Sequence, residues 1–159
     1  MIRLGAVPYL NAKPLLWGLE GSTEVEVTLD VPSQLPALLG QGKVDAILVS
    51  SIEALRHPDL VILPGMSISS FGPVESVRVF HKRPLGEVRT LALDASSLTS
   101  NALAQILFHE YFGHLPDLVV LPPELNPMLS VADAAVLIGD RGMQIPPPGV
   151  EVWDLGQAW

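Results

Sequence analysis

Cysteine is absent from this 159-residue chain, and basic residues are scarce. Without cysteine the chain can form no disulfide, no thiolate nucleophile and no cysteine-ligated metal site. Nine Lys and Arg residues stand against 17 Asp and Glu, which gives a net charge of −8. Nucleic-acid grooves and anionic membrane surfaces are bound by clustered basic residues, so the sequence predicts neither partner.

The sequence also lacks long hydrophobic runs and a recognisable leader. No apolar run reaches the ~18 residues that span a bilayer. The residues after Met1 run directly into a strand-like segment, without the charged and apolar regions of a signal peptide. We therefore expect a cytoplasmic protein. Hydrophobic residues make up 48% and charged residues 16% of the chain, a composition that supports a folded core.

Strand-like and helix-like patterns alternate along the chain. The predicted strands are Arg3–Val7, Glu24–Leu29, Val44–Val49, Leu60–Leu63, Thr90–Leu93, Leu118–Leu121, Ala134–Ile138 and Glu151–Leu155. The predicted helices are Asn11–Leu19, Gln34–Gly40 and Asn101–Phe112. This alternation is typical of an α/β fold with mainly parallel sheets and crossover helices.

The segment from Ser67 to Phe80 divides the pattern in two. Its first half is rich in hydroxyls and is broken by Gly72-Pro73, and its second half alternates as a strand does. We predict a crossing strand at about 74–81, between a first lobe at 1–76 and a second lobe at 77–159. Small ligands commonly bind in a crevice between lobes, so we expect the site there.

No common catalytic or metal motif is present. His109 and His114 resemble the zinc motif H-E-x-x-H but are five residues apart, which leaves the imidazoles about 140° apart around a helix. His57 has no evident triad partner, His81 lies beside Lys82 and Arg83, and lone histidines of this kind are more often structural than catalytic. Three aspartates near strand ends are interpreted as caps of the following turns: Asp45, Asp94 and Asp140. We predict no metal and no cofactor.

Hydroxyl and amide side chains cluster where predicted strands end. A helix N-terminus offers free N–H groups and partial positive charge, and can hold a carboxylate without a cation. Each cluster could be an ordinary cap, but three together at strand ends favour an anion-binding cleft. The clusters are Asp94–Ser100 ahead of a helix, Tyr9 and Asn11 ahead of another, and Ser69, Ser70 and Ser76 in the crossing segment.

Several motifs, in order along the chain, resemble the chorismate dehydratases of menaquinone biosynthesis by the futalosine route. They are Val7-Pro8-Tyr9-Leu10-Asn11 with Pro14, Gly42-Lys43-Val44-Asp45-Ala46 with Ser50, Ser69 with Gly72-Pro73-Val74-Glu75-Ser76-Val77, Leu93-Asp94 with Ser96-Ser97 and Thr99-Ser100, and Ile138-Gly139-Asp140-Arg141. The resemblance implies the two-lobed fold of type 2 periplasmic binding proteins. Members of this family continue beyond the position of Gly156 and return to the first lobe, and the printed sequence ends before such a return.

The resemblance also implies a reaction and roles for residues. Chorismate, a small dicarboxylate, would lose water to give 3-[(1-carboxyvinyl)oxy]benzoate, with the substrate's own enolpyruvyl carboxylate acting as base. By analogy Asn11 and Ser76 lie nearest the reacting atoms. The implied substrate-binding residues are Tyr9, Ser69, Ser70, Ser97, Thr99 and Ser100.

Three other functions stay open at this point. The dihydroxynaphthoate-forming enzyme of the same route would share the fold but act on a later intermediate. A solute receptor would bind a small carboxylate without turnover, and would ordinarily carry an export leader. The effector lobe of a transcription regulator would accompany a DNA-binding helix pair, which this sequence lacks.

Overall fold

The structure is a computed structural model that describes residues 1–159, and the chain divides into two compact units, Met1–Ser69 and Ser70–Trp159. Each unit contains a sheet with helices packed on it, so the predicted α/β class is confirmed. The predicted lobe boundary, between residues 76 and 77, lies seven residues after the division between these two units, and the assignment of lobes stays a prediction. No helix has the length and apolarity needed to cross a membrane.

The first unit is built on three parallel strands in the order β2-β1-β3. Its strands are β1 (Ile2–Ala6), β2 (Val25–Leu29) and β3 (Ala46–Ile47), and its helices are a 3₁₀ turn (Leu10–Ala12), α1 (Lys13–Leu16), α2 (Leu35–Gly40) and α3 (Ile52–Arg56). Only one small cluster of buried side chains forms, around Val7, Ala12 and Leu35. The carboxyl ends of all three strands lie at one edge because the strands are parallel.

Three of the predictions for the first unit are wrong in extent or kind. The helix predicted at Asn11–Leu19 is only a 3₁₀ turn and one turn of α-helix, because Pro14 and Gly18 leave too few residues to propagate it. The strand predicted at Val44–Val49 pairs with β1 at only two positions. The segment Leu60–Leu63 is not a strand: the hydrophobic cluster of this unit includes no residue beyond position 49.

The second unit is built on a five-stranded sheet in the order β6-β5-β7-β4-β8. Its strands are β4 (Val77–His81), β5 (Thr90–Asp94), β6 (Asp117–Leu121), β7 (Ala134–Ile138) and β8 (Glu151–Asp154). Its helices are a 3₁₀ turn (Leu85–Glu87), α4 (Thr99–Phe112), α5 (Leu125–Val131), α6 (Gly139–Gly142) and α7 (Leu155–Ala158). Strand β4 runs antiparallel to both of its neighbours, β7 and β8, whereas β5 is parallel to β6 and β7.

Both faces of this sheet are covered by apolar side chains. Val79 on β4 belongs to a cluster with Leu91 and Phe108 of α4, and Phe80, the next residue, belongs to a second cluster with Met128 of α5. The predicted alternation of the crossing strand is therefore an alternation between two buried faces rather than between core and solvent. Burying a side chain of this size contributes about 1.5–3 kcal/mol relative to its exposure.

Candidate functional site

Strand ends in the second unit bring most of its predicted site residues to one edge of the sheet. The carboxyl ends of β5 and β7 lie beside each other because these strands are parallel. Strand β4 is antiparallel to β7, and its first residue, Val77, pairs with Ile138, the last residue of β7. Ser76 therefore lies at the same edge as the segment after β5, although it precedes its strand rather than follows it. The sequence alone predicted that Ser76 lies at the carboxyl end of a strand. The antiparallel pairing of β4 shows that it lies at the amino end of its own strand, beside the carboxyl end of β7.

Asp94 organises the loop between β5 and α4. Its carboxylate is fully buried and accepts hydrogen bonds from Ser96 N at 2.8 Å and from Ser96 Oγ at 2.5 Å. Its other oxygen accepts from Ile138 N at 3.3 Å, which joins the end of β5 to the end of β7. Asn101 Nδ2 donates to the carbonyl oxygens of Asp94 at 2.9 Å and Ser97 at 3.0 Å. Asp94 is thus the structural cap that the sequence predicted, and it fixes the loop before α4.

The N-terminus of α4 is not capped by its own flanking side chain. The N-cap residue is Leu98, which has no side-chain hydrogen bond to give, and the first helical residues are Thr99 and Ser100. Thr99 Oγ1 and Asn101 Oδ1 are buried and make no hydrogen bond within the protein. A 14-residue helix carries a partial positive charge at this end. The sequence predicted that this helix starts at Asn101. In the structure it starts two residues earlier, so Thr99 and Ser100 belong to its first turn.

Ser76 is presented by a strained turn. Ser76 N donates to the carbonyl oxygen of Val74 at 2.7 Å, which closes a three-residue turn. Glu75 at its centre has a φ of 58°, and no other residue besides glycine in the chain has a positive φ. Three-residue turns with positive central φ are rare and strained. The backbone that presents Ser76 therefore needs support from its surroundings.

The carboxylate of Asp154 accepts hydrogen bonds from the backbone of this turn. It accepts from Glu75 N at 2.7 Å and from Val74 N at 3.1 and 3.2 Å, and also from Gly156 N and Gln157 N at the start of α7. Burial by itself would raise the pKa of Asp154, but the four backbone amides favour the ionised form and together lower the pKa below its ordinary value.

The remaining candidate residues either follow β1 in the first unit or lie where the two units meet in the sequence, with Ser69 the last residue of the first unit and Ser70 the first of the second. Tyr9, half-buried, is the N-cap of the 3₁₀ turn, and Asn11 is exposed within that turn. The sequence predicted that Asn11 caps a long helix; instead it lies inside a three-residue turn, followed by α1 of only four residues. Ser69 and Ser70 are exposed in a segment without regular structure, where Ser69 Oγ lies 3.4 Å from Ser67 Oγ.

The structure thus brings together Ser76, Ser97, Thr99 and Ser100 at one edge of the second unit. Sequence reasoning missed Asp154 and Gly142, which support this edge. An aspartate followed by Leu-Gly and a short polar helix is an N-cap signal that could have identified Asp154. No local signal identifies Gly142, where an added Cβ would lie 2.5 Å from the carbonyl oxygen of Ser76.

The histidines do not form a metal centre. No group of three or more His, Cys, Asp or Glu side chains is placed to hold a metal ion. His109 is exposed beside Glu110, while His114 packs near the ring of Phe108. His81 is buried, and its Nδ1 lies 2.9 Å from the carbonyl oxygen of Arg83.

Solved structures with the same fold cover nearly the whole chain. A protein of Archaeoglobus fulgidus matches with a TM-score of 0.67 at 14% identity, over 97% of this chain and 60% of that one. The ATP phosphoribosyl transferase complex of Thermotoga maritima matches with a TM-score of 0.54 at 15% identity, over 97% of this chain and 82% of that one. At these identities the likeness shows the fold alone.

Two sequence comparisons identify the family. The chorismate dehydratase of Thermus thermophilus is 39% identical over 144 residues, which cover 89% of this chain and 51% of that protein. The chain therefore spans about half the length of this curated relative. A family model described as menaquinone biosynthesis matches residues 2–159. This chain belongs to the menaquinone-biosynthesis family.

Proposed function

We propose that the chain takes part in the dehydration of chorismate to 3-[(1-carboxyvinyl)oxy]benzoate, as a hydro-lyase of menaquinone biosynthesis. The observation that carries the proposal is the 39% identity to a chorismate dehydratase along 89% of the chain. The uncapped start of α4 supports it, because chorismate carries two carboxylates and this helix end offers amides and hydroxyls without a cation. A cytoplasmic location and the absence of a nucleic-acid or membrane partner belong to the same proposal.

The reaction needs a proton to leave a ring carbon that is conjugated with the ring carboxylate. Negative charge then spreads into that carboxylate, hydroxide departs from the ring, and the ring becomes aromatic. The proton removed and the hydroxide together make one water, so no oxidant or cofactor is consumed. In this proposal the enolpyruvyl carboxylate of the substrate takes the proton, and the protein contributes positioning and stabilisation of the developing charge.

The proposed roles follow from this chemistry. Thr99, Ser100 and the first amides of α4 hold one carboxylate, where the helix dipole favours negative charge. Ser97, in the loop before α4, contributes a further contact to the substrate. Asn11 and Ser76 act nearest the reacting atoms. Tyr9, Ser69 and Ser70 contribute further contacts to the substrate.

A direct assay tests the proposal. The protein is mixed with chorismate, the new aromatic absorbance is followed, and the product is identified by mass as chorismate less one water. Formation of that product above the rate of a heat-denatured sample supports the proposal. Saturable binding of chorismate without product would indicate a receptor for small carboxylates, and neither binding nor turnover would contradict the proposal.

A further inference from the structure

The strongest feature outside the predicted site is the contact between Asp154 and the turn that presents Ser76. We infer that Asp154 is a positioning residue, whose carboxylate holds the Val74–Glu75 backbone so that Ser76 is fixed at the edge of the second unit. The inference rests on the proposed function for its effect on catalysis, but the positioning itself is measurable without any substrate.

The geometry is unusual for a helix cap. A capping aspartate needs to accept only from the amides of its own helix, and Asp154 does so through Oδ1 from Gly156 N at 2.9 Å and Gln157 N at 3.0 Å. Its other oxygen, Oδ2, accepts from Glu75 N at 2.7 Å. Val74 N lies 3.1 Å from Oδ1 and 3.2 Å from Oδ2, so the carboxylate both caps α7 and joins it to a segment 80 residues away along the chain.

The turn needs this support because it is strained. Glu75 has a φ of 58°, a conformation that costs a non-glycine residue energy, and residues held in such conformations persist when their surroundings over-determine them. Strain of this kind is concentrated at functional sites. Here the strained residue directly precedes Ser76, whose N–H is already used in closing the turn.

Close packing supports the same turn from two sides. A Cβ added at Gly156 would lie 2.1 Å from Val74 Cγ2 and 2.7 Å from the carbonyl oxygen of Gly72. A Cβ added at Gly142 would lie 2.5 Å from the carbonyl oxygen of Ser76. Arg78, paired with Asp154 across β4 and β8, places its Nε 4.0 Å from Oδ2 and is the cation nearest the carboxylate.

The decisive variant is Asp154→Ser. Serine is as good an N-cap as aspartate, so α7 keeps its cap, but a single short hydroxyl cannot also reach the amides of Val74 and Glu75. The matched control is Asp133→Ser. Asp133 is equally buried in the same unit, at 16% side-chain exposure against 17% for Asp154, and it accepts from two backbone amides near the opposite ends of the strands.

Amide hydrogen exchange followed by NMR on the full chain gives the first readout. In Asp154→Ser we expect exchange at Val74 and Glu75 to rise about tenfold or more and the Ser76 amide resonance to move, while Gln157 stays protected. In Asp133→Ser the Ser76 resonance stays in place. Unchanged exchange at Glu75 and an unmoved Ser76 resonance in Asp154→Ser would overturn the inference, whatever the protein's activity.

Steady-state kinetics with chorismate give the second readout. A misplaced catalytic group lowers kcat more than it raises KM, so Asp154→Ser should lose about tenfold to a hundredfold in kcat with KM changed less than threefold. Asp133→Ser should keep the kcat of the parent. An active parent with an unchanged kcat in Asp154→Ser would overturn the positioning of Ser76 for catalysis. An inactive parent would instead contradict the proposed function, and the exchange experiment would still decide the inference.

Discussion

The two units of this chain differ in how firmly they hold their candidate residues. In the second unit a five-stranded sheet is buried on both faces, and its loops are tied by two carboxylates, Asp94 and Asp154, to backbone amides. In the first unit a three-stranded sheet has one small cluster, and Asn11 lies exposed on a 3₁₀ turn. Motifs of one family therefore lie on backbones that differ widely in the buried side chains and hydrogen bonds that support them.

Core substitutions should produce the largest effect and separate the two units. Phe80→Ala should destabilise the second unit by about 3–5 kcal/mol, and Leu35→Ala the first by about 2–5 kcal/mol. Both side chains are fully buried, each in a cluster made within its own unit. Native-state hydrogen exchange should place each loss in the unit that carries the substitution. An equal loss of protection in both units from either variant would break the comparison.

Removal of one donor from each unit should lower the rate of the proposed reaction. Ser76→Ala and Asn11→Ala should each reduce kcat with chorismate by about 10²–10³, or about 2.7–4 kcal/mol, because each removes a group that we propose stabilises developing charge. Ser130→Ala, at an exposed position on α5, is the matched control and should keep the parent rate. Near-normal turnover in both Ser76→Ala and Asn11→Ala would contradict their assignment.

Close backbone contact should make one glycine of the second unit far less replaceable than one of the first. Gly142→Ala should cost about 1–3 kcal/mol, since its new Cβ would meet backbone oxygens of Ser76 and Leu137 at 2.5 and 2.9 Å. Gly5→Ala in β1 should cost less, because its Cβ would meet only side-chain atoms, at 3.0 Å or more. Gly86→Ala, with 3.6 Å to the nearest ring atom, is the control. If urea denaturation showed an equal loss of unfolding free energy in all three variants, the predicted difference between the glycines would be contradicted.

The smallest expected effect is the dependence of stability on acid. Hydrogen bonds from the Arg3 side chain and backbone lower the pKa of Asp45 to about 2, and the amide of Arg89 similarly lowers the pKa of Asp133. A carboxyl with a lowered folded pKa stabilises the protein above its unfolded pKa of about 4, and this stability is lost as the pH falls through the folded pKa.

Urea denaturation midpoints measured between pH 7 and pH 2 test whether stability falls on acidification. We expect the midpoint to fall below about pH 4, and Asp133→Asn to flatten the fall more than Asp45→Asn, since the exposed Asp45–Arg3 pair is screened by solvent. A midpoint that rises on acidification, or a larger effect from Asp45→Asn, would be inconsistent with the structure.

Much of the second unit could be predicted from the sequence, because its strands carry a strong local signal. The run Ala134–Ile138 is apolar throughout, as a strand covered on both faces must be, and the prediction is confirmed residue for residue. The start of α4 was predicted within two residues. The helix α5 was not predicted, although Pro127 falls in its first turn, where proline is tolerated.

The first unit was predicted less well for a physical reason. The apolar run Leu60–Leu63 resembles a buried strand, but a strand also needs a partner with free backbone groups, which periodicity does not reveal. In the second unit, the antiparallel direction of β4 and the hydrogen bond from Glu75 N to Asp154 likewise join residues far apart in the sequence, which local patterns do not reveal. Composition and spacing could indicate which side chains bear the chemistry, and the topology decided which of them share an edge.

The most direct test of the central claim is an NMR titration of the protein with chorismate. We expect saturable shifts of the backbone amides of Ser76, Thr99 and Ser100 at the shared edge of the second unit. Much smaller shifts are expected at His81, the last residue of β4, and at Arg83 just beyond it. Saturable binding with those three amides unmoved, or no binding at millimolar chorismate, would contradict it.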